Sequence, residues 1–474
     1  MEECAKVAMK IYNTLTRSKE ELKPGVPPLV TFYACGPTVY DYIHIGNARV
    51  FIVFDVARRY LEYRGYNVKL IQNYTDIDDK MINRANEQGI SVKELADRFI
   101  QAYEEDVGAL RVRPANVKPK ATDHIPQIIE LVSRLLDNGY AYVTNGDVYF
   151  DTSSYPHYGQ LTRQKRDELL AGARVEPGEK KRNPLDFVLW KQKKEGEPAW
   201  DSPWGEGRPG WHIECSAMST YYLDDTLDIH AGGADLIFPH HENEIAQTWG
   251  ADQRPLARYW MHAGYLNIEE QKMSKSLGNV LTVRSLLQEH DPLDLRFLIL
   301  SAHYRSPLNF SDELVAQSRS GRLRLQEMIN NLFSALESGG DASGKRERDL
   351  QKALEDAKTR FVEAMDDDFN TADGLGALFD LARSSNIYIK EAYPYNRDLL
   401  EEVLQFYRGI NNIFDIVDIS EPESLDDEVA EKIARRDRAR AEKDFATADQ
   451  IRDELLEKGI FLEDTPHGTR WKKK

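Results

Sequence analysis

A buried strand, a helix and a second strand follow one another between residues 29 and 73, and this pattern constrains the fold more than any other part of the chain. The run Leu-Val-Thr-Phe-Tyr-Ala-Cys at 29–35 is apolar and stops at Gly36. Helical periodicity begins near Gly46, and residues 67–73 form the next strand-like segment. A strand, a crossover helix and a parallel strand form a right-handed βαβ unit. The pattern therefore predicts an α/β protein built on a parallel sheet.

Residues 140–210 differ in texture from the segments on either side. They combine strand-like pieces with a highly charged stretch at 163–183 and then many Gly, Pro and Trp residues. We interpret them as an insertion between two halves of one sheet. Helical periodicity predicts a helix over 79–106, and from residue 312 onwards the chain is mostly helical.

Composition places the chain among globular proteins of several domains. Its 474 residues exceed what one core accommodates, and the length favours about three domains. A net charge of −17 argues against a surface that binds nucleic acid over its whole extent. Residues 432–474 nevertheless carry 12 Lys and Arg against 9 Asp and Glu. This basic end fits local contact with a polyanion, although charge alone favours an ordinary solvated helix face.

Cysteine usage and hydropathy predict the compartment. The three cysteines, Cys4, Cys35 and Cys215, are too few for a disulfide framework. No run approaches 18 apolar residues and no apolar signal region stands at the N-terminus. We therefore expect a cytoplasmic, reduced protein without a membrane partner. Cys4 is assigned no role.

Four side chains suited to metal binding lie in aromatic-rich or glycine-rich islands. They are Cys35 in Tyr-Ala-Cys-Gly-Pro-Thr, Cys215 in Trp-His-Ile-Glu-Cys-Ser, and His240 with Glu244 in Phe-Pro-His-His-Glu-Asn-Glu. His240 and Glu244 are four residues apart, so on a helix they would share one face. Two thiolates, one imidazole and one carboxylate form a donor set suited to Zn²⁺. Because the ligands come from three distant segments, they indicate a metal within an active site.

Three details of this set stay open or are expected only from local context. A carboxylate binds Zn²⁺ directly or through water, and the sequence leaves both arrangements open for Glu244. Cys35 stands beside Gly-Pro at a strand end, so we expect its thiol to face a cleft rather than the core. His241 has two readings, one as a core residue and one as a partner of a metal ligand.

Two further segments carry groups suited to phosphate. His44-Ile45-Gly46-Asn47 lies where the loop after the first strand becomes a helix, and such a corner favours an anion. Lys272-Met273-Ser274-Lys275-Ser276 places two ammonium groups in one loop, which can stabilise the charge of a departing pyrophosphate. Taken singly, each segment also fits an ordinary surface turn.

The two segments together resemble the paired signatures of class I aminoacyl-tRNA synthetases, and the metal-ligand islands narrow the resemblance to cysteinyl-tRNA synthetases. The resemblance covers nearly the whole chain. One departure is Asn47, where the family signature commonly has a second His. The segments that carry the resemblance are Tyr33–Asp41, Thr75–Lys80, Asp186–Lys191, Trp211–Cys215, Phe238–Glu244 and Met365–Thr371.

The resemblance implies an activity and a role for individual residues. It implies ATP-dependent activation of L-cysteine to cysteinyl-adenylate and transfer of the cysteine to tRNA-Cys by a monomer. One Zn²⁺ per chain and Mg²⁺ with ATP are the implied cofactors. Trp211 has a second reading, ordinary core packing. The implied residues are Cys35, Cys215, His240 and Glu244 as zinc ligands; His44, Gly46, Asn47, Lys272 and Lys275 on ATP, with all but Gly46 also catalytic; and Gly36, Thr75 and Trp211 on cysteine.

The resemblance also implies a domain order. We expect a Rossmann-like parallel nucleotide-binding sheet with an insertion, then an α-helical bundle and a small α+β C-terminal domain. The tail would read the anticodon, since aromatic rings stack unpaired bases and arginines hold phosphates; Arg435, Arg436 and Trp471 are the predicted contacts. The predicted regions are the two catalytic halves at 1–139 and 211–265, the insertion at 140–210, the stem-contact region with the lysine loop at 266–311, the bundle at 312–416 and the anticodon domain at 428–474.

Two alternative functions are weighed against this one. Shorter ligases share the catalytic core and pass activated cysteine to an amino sugar, but they lack the anticodon-reading tail. A noncatalytic nucleic-acid-binding or metal-sensing protein is the second alternative, and it has no use for the two phosphate-binding segments.

Overall fold

The computed structural model describes residues 8–164, 168, 181–223, 226–268, 271–272, 281–337, 339–420, 427–465 and 468–473. The strands are β1 (Lys10–Asn13), β2 (Ser18–Glu21), β3 (Leu29–Ala34), β4 (Asn67–Gln72), β5 (Ala141–Thr144), β6 (Asp147–Phe150), β7 (Phe187–Gln192), β8 (Gly207–Pro209), β9 (Leu227–Gly233), β10 (Ala257–Ala263), β11 (Leu266–Ile268), β12 (Gln271–Lys272), β13 (Leu308–Phe310), β14 (Gly339–Gly340), β15 (Tyr395–Asn396), β16 (Ile460–Thr465) and β17 (Gly468–Lys473).

The structure also contains α-helices, the first of which begins one residue before its predicted start at Gly46. They are α1 (Ile45–Tyr63), α2 (Asp79–Gln88), α3 (Val92–Ala109), α4 (Ile125–Asp137), α5 (Trp211–Leu223), α6 (Glu242–Asp252), α7 (Val283–Leu286), α8 (Pro292–Leu300), α9 (Asp312–Glu337), α10 (Lys345–Asp366), α11 (Thr371–Glu391), α12 (Arg397–Phe414), α13 (Asp427–Ala441) and α14 (Phe445–Glu457).

A four-stranded parallel sheet in the order β10-β9-β3-β4 forms the centre of the catalytic region. Phe32 on β3 lies opposite Leu70 on one side and Ile229 on the other. β3 reads as a continuous apolar run because helices cover both faces of such a sheet. The predicted α/β fold is confirmed. β4 and β9 leave β3 on opposite sides, so the β3–β9 pair is the switch point where ligands of open α/β sheets bind.

The insertion forms a sheet of its own. β5, β6, β7 and β8 pair in that order, antiparallel throughout. Phe150 and Trp190 on this sheet belong to the same buried core cluster as Tyr33 and Trp260 of the parallel sheet. The insertion therefore packs on the catalytic sheet through apolar side chains.

The helix predicted over 79–106 is two helices. Gly89 ends α2 in a left-handed conformation (φ +64°), and the Ser91 hydroxyl accepts a hydrogen bond from the Glu94 amide to begin α3. Glycine adopts this conformation without steric cost, which makes it a common residue after a helix end. Because helical periodicity continues on both sides of Gly89, the sequence pattern did not indicate the break between α2 and α3.

Two compact units account for the chain. One contains residues 1–323, 355–381 and 409–417, and the other contains 324–354, 382–408 and 418–474. Within the second unit, α13 and α14 pack on a hairpin of β16 and β17 around a small apolar cluster of Val429, Ile433, Ile451, Leu455 and Ile460. The sequence of residues 428–474 predicts two short helices followed by a strand at 460–464, which α13, α14 and β16 match, but it does not predict β17. No helix in the described residues is both long and apolar enough to cross a membrane.

Candidate active site and metal centre

The candidate site begins at the carboxyl end of β3. Cys35 is the first residue after this strand, and its amide donates to the Ala231 carbonyl of β9 over 3.0 Å. This position is the switch point of the sheet. The thiol is buried, with 6% exposure, so the expectation that Cys35 faces an open cleft is wrong. Cys215 on α5 and Glu244 on α6 bring their donor atoms to within 4.8 Å of the Cys35 sulfur.

The structure brings the four predicted ligands together. Their donor atoms all lie within 4.8 Å of one another, and all four residues are buried. The two sulfurs are 4.0 Å apart, and Cys35 Sγ is 3.8 Å from Glu244 Oε1. His240 Nε2 completes the set at 2.9 Å from Glu244 Oε1. The result is a compact pocket of two thiols, one imidazole and one carboxylate.

His240 and Glu244 reach the same point without sharing one regular helix. His240 lies in a π-helical turn, Ile237–His241, in which Phe238 has non-helical dihedral angles, while Glu244 lies in the first turn of α6. Such π turns occur frequently at functional sites. The four-residue spacing therefore predicted the contact correctly although the local conformation differs from a continuous α-helix.

The donor geometry fits a tetrahedral Zn²⁺. Zinc–sulfur bonds of about 2.3 Å place two sulfurs about 3.8 Å apart across a tetrahedron, close to the observed 4.0 Å. His240 directs Nε2 into the cluster and places Nδ1 2.9 Å from His212 Nδ1. A second nitrogen held by a neighbour is the usual arrangement for a metal-bound histidine. The residues present therefore suit this ion.

The cluster combines acidic groups with a basic one. Burial opposes protonation of His240, but Glu244 and Cys215 raise its pKa to about 10. The hydrogen bond from Cys35 lowers the pKa of Cys215 to about 6, while burial raises the pKa of Cys35 well above its usual range. Burial opposes ionisation of Glu244, yet His230 and His240 lower its pKa to about 2. A cation placed among these donors would displace the protons of Cys35 and His240, because ligating thiols and imidazoles must be deprotonated.

A second donor set overlaps the first. Cys35, His230, His241 and Glu244 also lie within 4.8 Å of one another. His241 Nε2 is 3.3 Å from Cys35 Sγ, and its Nδ1 is 2.7 Å from His262 Nε2. His241 therefore faces the site as a partner of Cys35, which decides between the two readings of this residue. The set predicted from sequence is the one that contains both thiols.

Several buried residues of the site escaped sequence analysis. His230 lies in the middle of β9 and places Nε2 3.1 Å from Glu244 Oε2. Glu214 is completely buried, and neither of its carboxylate oxygens has a hydrogen-bond partner among the described residues. Burial raises its pKa well above the usual range, and Cys215 adds to this effect. The sequence offered one signal for such residues, a histidine or glutamate inside an apolar run. Burying a polar group without compensating interactions costs free energy, so such a position indicates a site.

Of the predicted cysteine contacts, Gly36 follows Cys35 in the chain, Trp211 contacts His240, and Thr75 pairs with the segment after Gly36. Gly36 donates its amide to Asn73 Oδ1 over 2.9 Å, and the Thr75 amide donates to the Pro37 carbonyl. The Trp211 ring lies 4.5 Å from the His240 ring but keeps 38% of its surface exposed. Trp211 is therefore not an ordinary core residue. It also lines a cavity of about 240 Å³, together with Asp78, Asp79, Lys191, Arg208 and His212.

His44 and Asn47 cap the first helix reciprocally. The backbone amide of Asn47 donates to His44 Nδ1 over 3.1 Å, and the backbone amide of His44 donates to Asn47 Oδ1 over 3.2 Å. Because Nδ1 of a neutral His44 accepts a hydrogen bond, the ring proton belongs on Nε2, where it can be donated. Asn47 thus has a structural role that accounts for an amide at this position. The Gly46 amide has no acceptor among the described residues.

The remaining predicted residues are described in part. Lys272 ends β12, but its side chain and all of Lys275 lie outside the described residues. Arg435 is exposed on α13. Arg436 is 3% exposed and donates to Thr469 Oγ1 over 2.9 Å, so it joins α13 to β17. Trp471 is on β17, and its side chain is outside the described residues. Because Arg436 is buried and paired, its side chain is not accessible to tRNA as the sequence predicted.

Fold and site together define a class I aminoacyl-tRNA synthetase. A family model described as the tRNA synthetases class I (C) catalytic domain matches residues 21–320. Among solved structures, Mycobacterium tuberculosis methionyl-tRNA synthetase bound by methionyl-adenylate shares the fold with a TM-score of 0.63 and 16% identity, over 83% of this chain and 92% of that one.

The other matches identify the particular family. Models of the DALR domain and of the cysteinyl-tRNA ligase anticodon binding domain match residues 360–417 and 423–471. The chain is 52% identical to the cysteine–tRNA ligase of Geobacillus sp. (strain WCH70) over 98% of this chain and 99% of the relative. It is 51% identical to that of Clostridioides difficile (strain 630), over 98% and 100%. The chain belongs to the cysteine–tRNA ligase family.

Proposed function

We propose that this chain activates L-cysteine with ATP and transfers it to the terminal adenosine of tRNA-Cys. The observation that carries the proposal is the convergence of two thiols, one imidazole and one carboxylate within 4.8 Å at the end of β3. Such a site can distinguish a thiol substrate from its close analogues. Membership of the family and the anticodon-binding match at 423–471 support the same activity.

The reaction has two steps. The cysteine carboxylate attacks the α-phosphate of ATP, which forms cysteinyl-adenylate and releases pyrophosphate. The 2′-hydroxyl of the terminal adenosine then attacks the activated carbonyl, and AMP leaves. Neither step needs a nucleophile from the protein, so catalysis consists of positioning and of charge stabilisation.

Selection of cysteine is assigned to the cluster. Cys35, Cys215, His240 and Glu244 would hold one Zn²⁺ per chain. When bound, zinc would ligate the substrate thiol as a thiolate, a bond that the hydroxyl of serine and the methyl of alanine do not provide. Sites built around one specific polar contact reject analogues that lack it by about 10⁴–10⁵.

The cysteine pocket is assigned to the neighbours of the cluster. Gly36 and Thr75 would form the backbone beside the sulfur of the substrate, and the exposed face of Trp211 would bound the pocket on the side of the cavity. These residues would orient the amino acid so that its carboxylate, and not only its thiol, is fixed. Orientation of the attacking group is a large part of the rate enhancement when two substrates must meet.

Phosphate chemistry is assigned to the two signature segments. His44 would donate from Nε2 to a phosphate oxygen, and Gly46 and Asn47 would place the first turn of α1 against the nucleotide. Lys272 and Lys275 would stabilise the departing pyrophosphate, and Mg²⁺ would accompany ATP. Lys275→Ala should lower cysteine-dependent ATP–pyrophosphate exchange without changing zinc content. Unchanged exchange would remove Lys275 from the mechanism.

Recognition of tRNA is assigned to the C-terminal domain at 428–474. Arg435 is exposed, and the Phe445 and Phe461 rings expose 61% and 45% of their surface in the same domain. Trp471 lies on β17 of this domain. Exposed aromatic rings beside arginines suit unpaired bases. The same tail argues against transfer to an amino sugar, since that chemistry has no anticodon to read.

Metal analysis combined with activity tests the proposal. Wild-type protein should contain one zinc per chain and catalyse pyrophosphate exchange with cysteine but not with serine. Cys215→Ser should lose zinc and cysteine-dependent exchange together, whereas Cys4→Ser, the same substitution at a cysteine to which the sequence assigns no role, should retain both. An active wild-type enzyme that lacks zinc and still rejects serine would contradict the proposal. Charging of a tRNA-Cys transcript separates it from amino-sugar transfer.

A further inference from the structure

Arg49 lies one turn into α1, directly after the His44–Asn47 corner, and its guanidinium is enclosed by backbone carbonyls. The side chain has no exposed surface. Nη1 donates to the carbonyls of Gly264 and Tyr265 over 3.0 and 2.6 Å. Nη2 donates to the carbonyls of His303, Tyr304 and Ser306 over 3.4, 3.2 and 2.5 Å. Burial lowers its pKa to about 10, so the group is still charged at neutral pH.

These carbonyls belong to the segments that precede β11 and β13, two strands of the small sheet that contains Lys272. Gly264 and Tyr265 connect β10 to β11, and β11 pairs with β12, which ends at Lys272. Residues 303–306 precede β13, which pairs with the other edge of β11. The Arg49 guanidinium thus contacts both segments that enter the small sheet β12-β11-β13, which contains Lys272.

The segment that follows the lysine signature, Lys272–Ser276, is hydrogen-bonded to the start of the same helix. The Ile45 amide donates to the Leu281 carbonyl over 3.0 Å, and the Val283 amide donates to the Ile43 carbonyl over 2.9 Å. His44 and Thr282 form an antiparallel bridge between these two bonds. Both described flanks of residues 273–280 are therefore connected to the start of α1. The upstream flank is connected through Arg49, and the downstream flank is connected through these backbone hydrogen bonds.

We propose that Arg49 is a positioning residue for adenylate formation, which sets the distance between the His44 corner and the strand that carries Lys272. The proposal rests on the assignment of His44 and Lys272 to the phosphates of ATP. Arg49 itself contacts neither substrate. It acts through the backbone of β10, β11 and the segment before β13, whose carbonyls converge on its two terminal nitrogens.

Arginine suits this position for a geometric reason. Its planar fork presents five N–H donors in fixed directions, whereas lysine presents three donors on a single rotatable nitrogen. Lysine at position 49 would keep the charge but would leave carbonyls from one of the two segments without a donor. Buried carbonyls without donors shift towards other partners or water. The distance between the His44–Asn47 corner and the strand with Lys272 should then vary. The metal cluster is built on other segments and should persist.

The test uses the full-length enzyme with Arg49→Lys and a matched control. Arg296→Lys is the control, because Arg296 is equally buried and donates to the Phe414 and Leu110 carbonyls and to Asp55, away from the lysine signature. Arg49→Lys should lower kcat for cysteine-dependent pyrophosphate exchange at least tenfold and raise KM for ATP. Its zinc content and its KM for cysteine should stay within about twofold of wild type. Arg296→Lys should lower the thermal midpoint without this kinetic pattern.

Two results overturn the proposal: wild-type kcat and KM for ATP in folded Arg49→Lys, or the same loss of activity in both variants in proportion to stability. If Arg49→Lys does not fold, Gly264→Ala decides, since its Cβ would meet the Arg305 and Ser306 carbonyls at 2.6 and 2.8 Å and displace the acceptors instead. A wild-type KM for ATP in that variant counts against the proposal, and a raised one supports it. Retained exchange in His44→Ala would instead refute the proposed function itself.

Discussion

Cys35 stands at the start of a chain of hydrogen-bonded side chains that runs into the protein interior. His241 Nε2 approaches its sulfur at 3.3 Å, His241 Nδ1 pairs with His262 Nε2 at 2.7 Å, and His262 Nδ1 pairs with Thr14 Oγ1 at 2.7 Å. Burial lowers the pKa of His241 well below its usual range and that of His262 to about 3, so both rings are neutral at pH 7. Neutral rings linked in this way fix the direction of the thiol without adding charge to the cluster.

His262→Gln tests this chain at the residue scale. Glutamine cannot bridge His241 and Thr14 with the geometry of a ring, so the orientation of Cys35 should loosen and metal affinity should fall about 10–100-fold. Competition with a zinc chelator measures the change. His124→Gln is the control, because His124 is also buried with two hydrogen-bond partners, the Lys120 carbonyl and the Tyr222 hydroxyl, away from the cluster. Equal zinc affinity in both variants would contradict the role.

At the scale of elements, the turn after β3 determines the shape of the cysteine pocket. A Cβ atom on Gly36 would lie 1.7 Å from the Asn73 carbonyl oxygen, which is backbone and cannot rotate away. β3 and the segment after β4 therefore approach each other as closely as they do only because residue 36 has no side chain. The same two segments are joined by the hydrogen bond from Gly36 to Asn73 and by the bridge between Thr38 and Thr75.

Gly36→Ala should separate these two segments. We expect a loss of at least tenfold in kcat/KM for cysteine and a lower thermal midpoint, because strand ends must move to relieve the clash. Gly376→Ala, within α11, is the matched control: nothing lies within 4 Å of its added Cβ, and the exchange should stabilise the helix by about 0.5–1 kcal/mol. Cysteine kinetics and thermal midpoints of both variants check the expectation, and wild-type kinetics in Gly36→Ala would contradict it.

Asp415, the residue after α12, is joined to α1 and to the segment after α3 by ion pairs that depend on pH. Asp415 accepts from Arg59 over 3.1 Å and from Arg111 over 2.7 Å. Burial acts in the opposite direction, but the two guanidinium groups lower the pKa of Asp415 below its usual value. A lowered folded-state pKa contributes stability above the unfolded-state pKa of about 3.9, and this contribution disappears as pH falls through the folded-state pKa.

Asp415→Asn should therefore destabilise the protein at pH 7 by about 1–2 kcal/mol, between the values of exposed and buried ion pairs. The difference from wild type should stay constant between pH 7 and pH 5 and shrink below about pH 4. Thermal midpoints of the two proteins over this range provide the measurement. Asp367→Asn, which removes an exposed pair with Lys19, should change little at any pH. A gap that widens on acidification would contradict the assignment.

At the scale of the whole molecule, activation of the amino acid and recognition of the tRNA are assigned to different parts of the chain. The cluster and the His44 corner belong to one compact unit, and α13, α14, β16 and β17 belong to the other. These last elements have an apolar cluster of their own, centred on Leu455 and Ile433. Removing them should expose little of any other core.

Truncation after Ser420 tests this division of labour. The shortened chain keeps the Gln326–Asp418 hydrogen bonds that precede the C-terminal domain. It should retain pyrophosphate exchange within about threefold of wild type, because the substrates of that reaction do not include tRNA. Charging of tRNA-Cys should fall by at least a hundredfold, the loss expected when several stacking and phosphate contacts of about 1–3 kcal/mol each disappear. Undiminished charging would contradict anticodon reading by this domain.

Local patterns allowed the elements to be predicted where neighbours within a few residues decide the conformation. The strand at 29–35, the helix starting near Gly46 and the second strand at 67–73 were all predicted to within about one residue, because periodicity and helix caps are local. The resemblance of the signature segments indicated the family for the same reason. The break at Gly89 and the strand β17 were missed, since a single glycine and a short polar strand leave weak local signals.

The amino-acid sequence by itself determined the α/β class, the candidate ligands and the family, because residue types and their spacing are properties of the chain alone. Only the tertiary structure decided that sulfurs 180 residues apart stand 4.0 Å from each other. It also decided that His230 and His241 contact the Cys35 sulfur, with His262 hydrogen-bonded to His241. It likewise decided that Cys35 and Arg436 are buried and that Arg49 faces five carbonyls. The physical reason is that such contacts follow from how packed elements close over long stretches of chain, and local spacing carries no information about that closure.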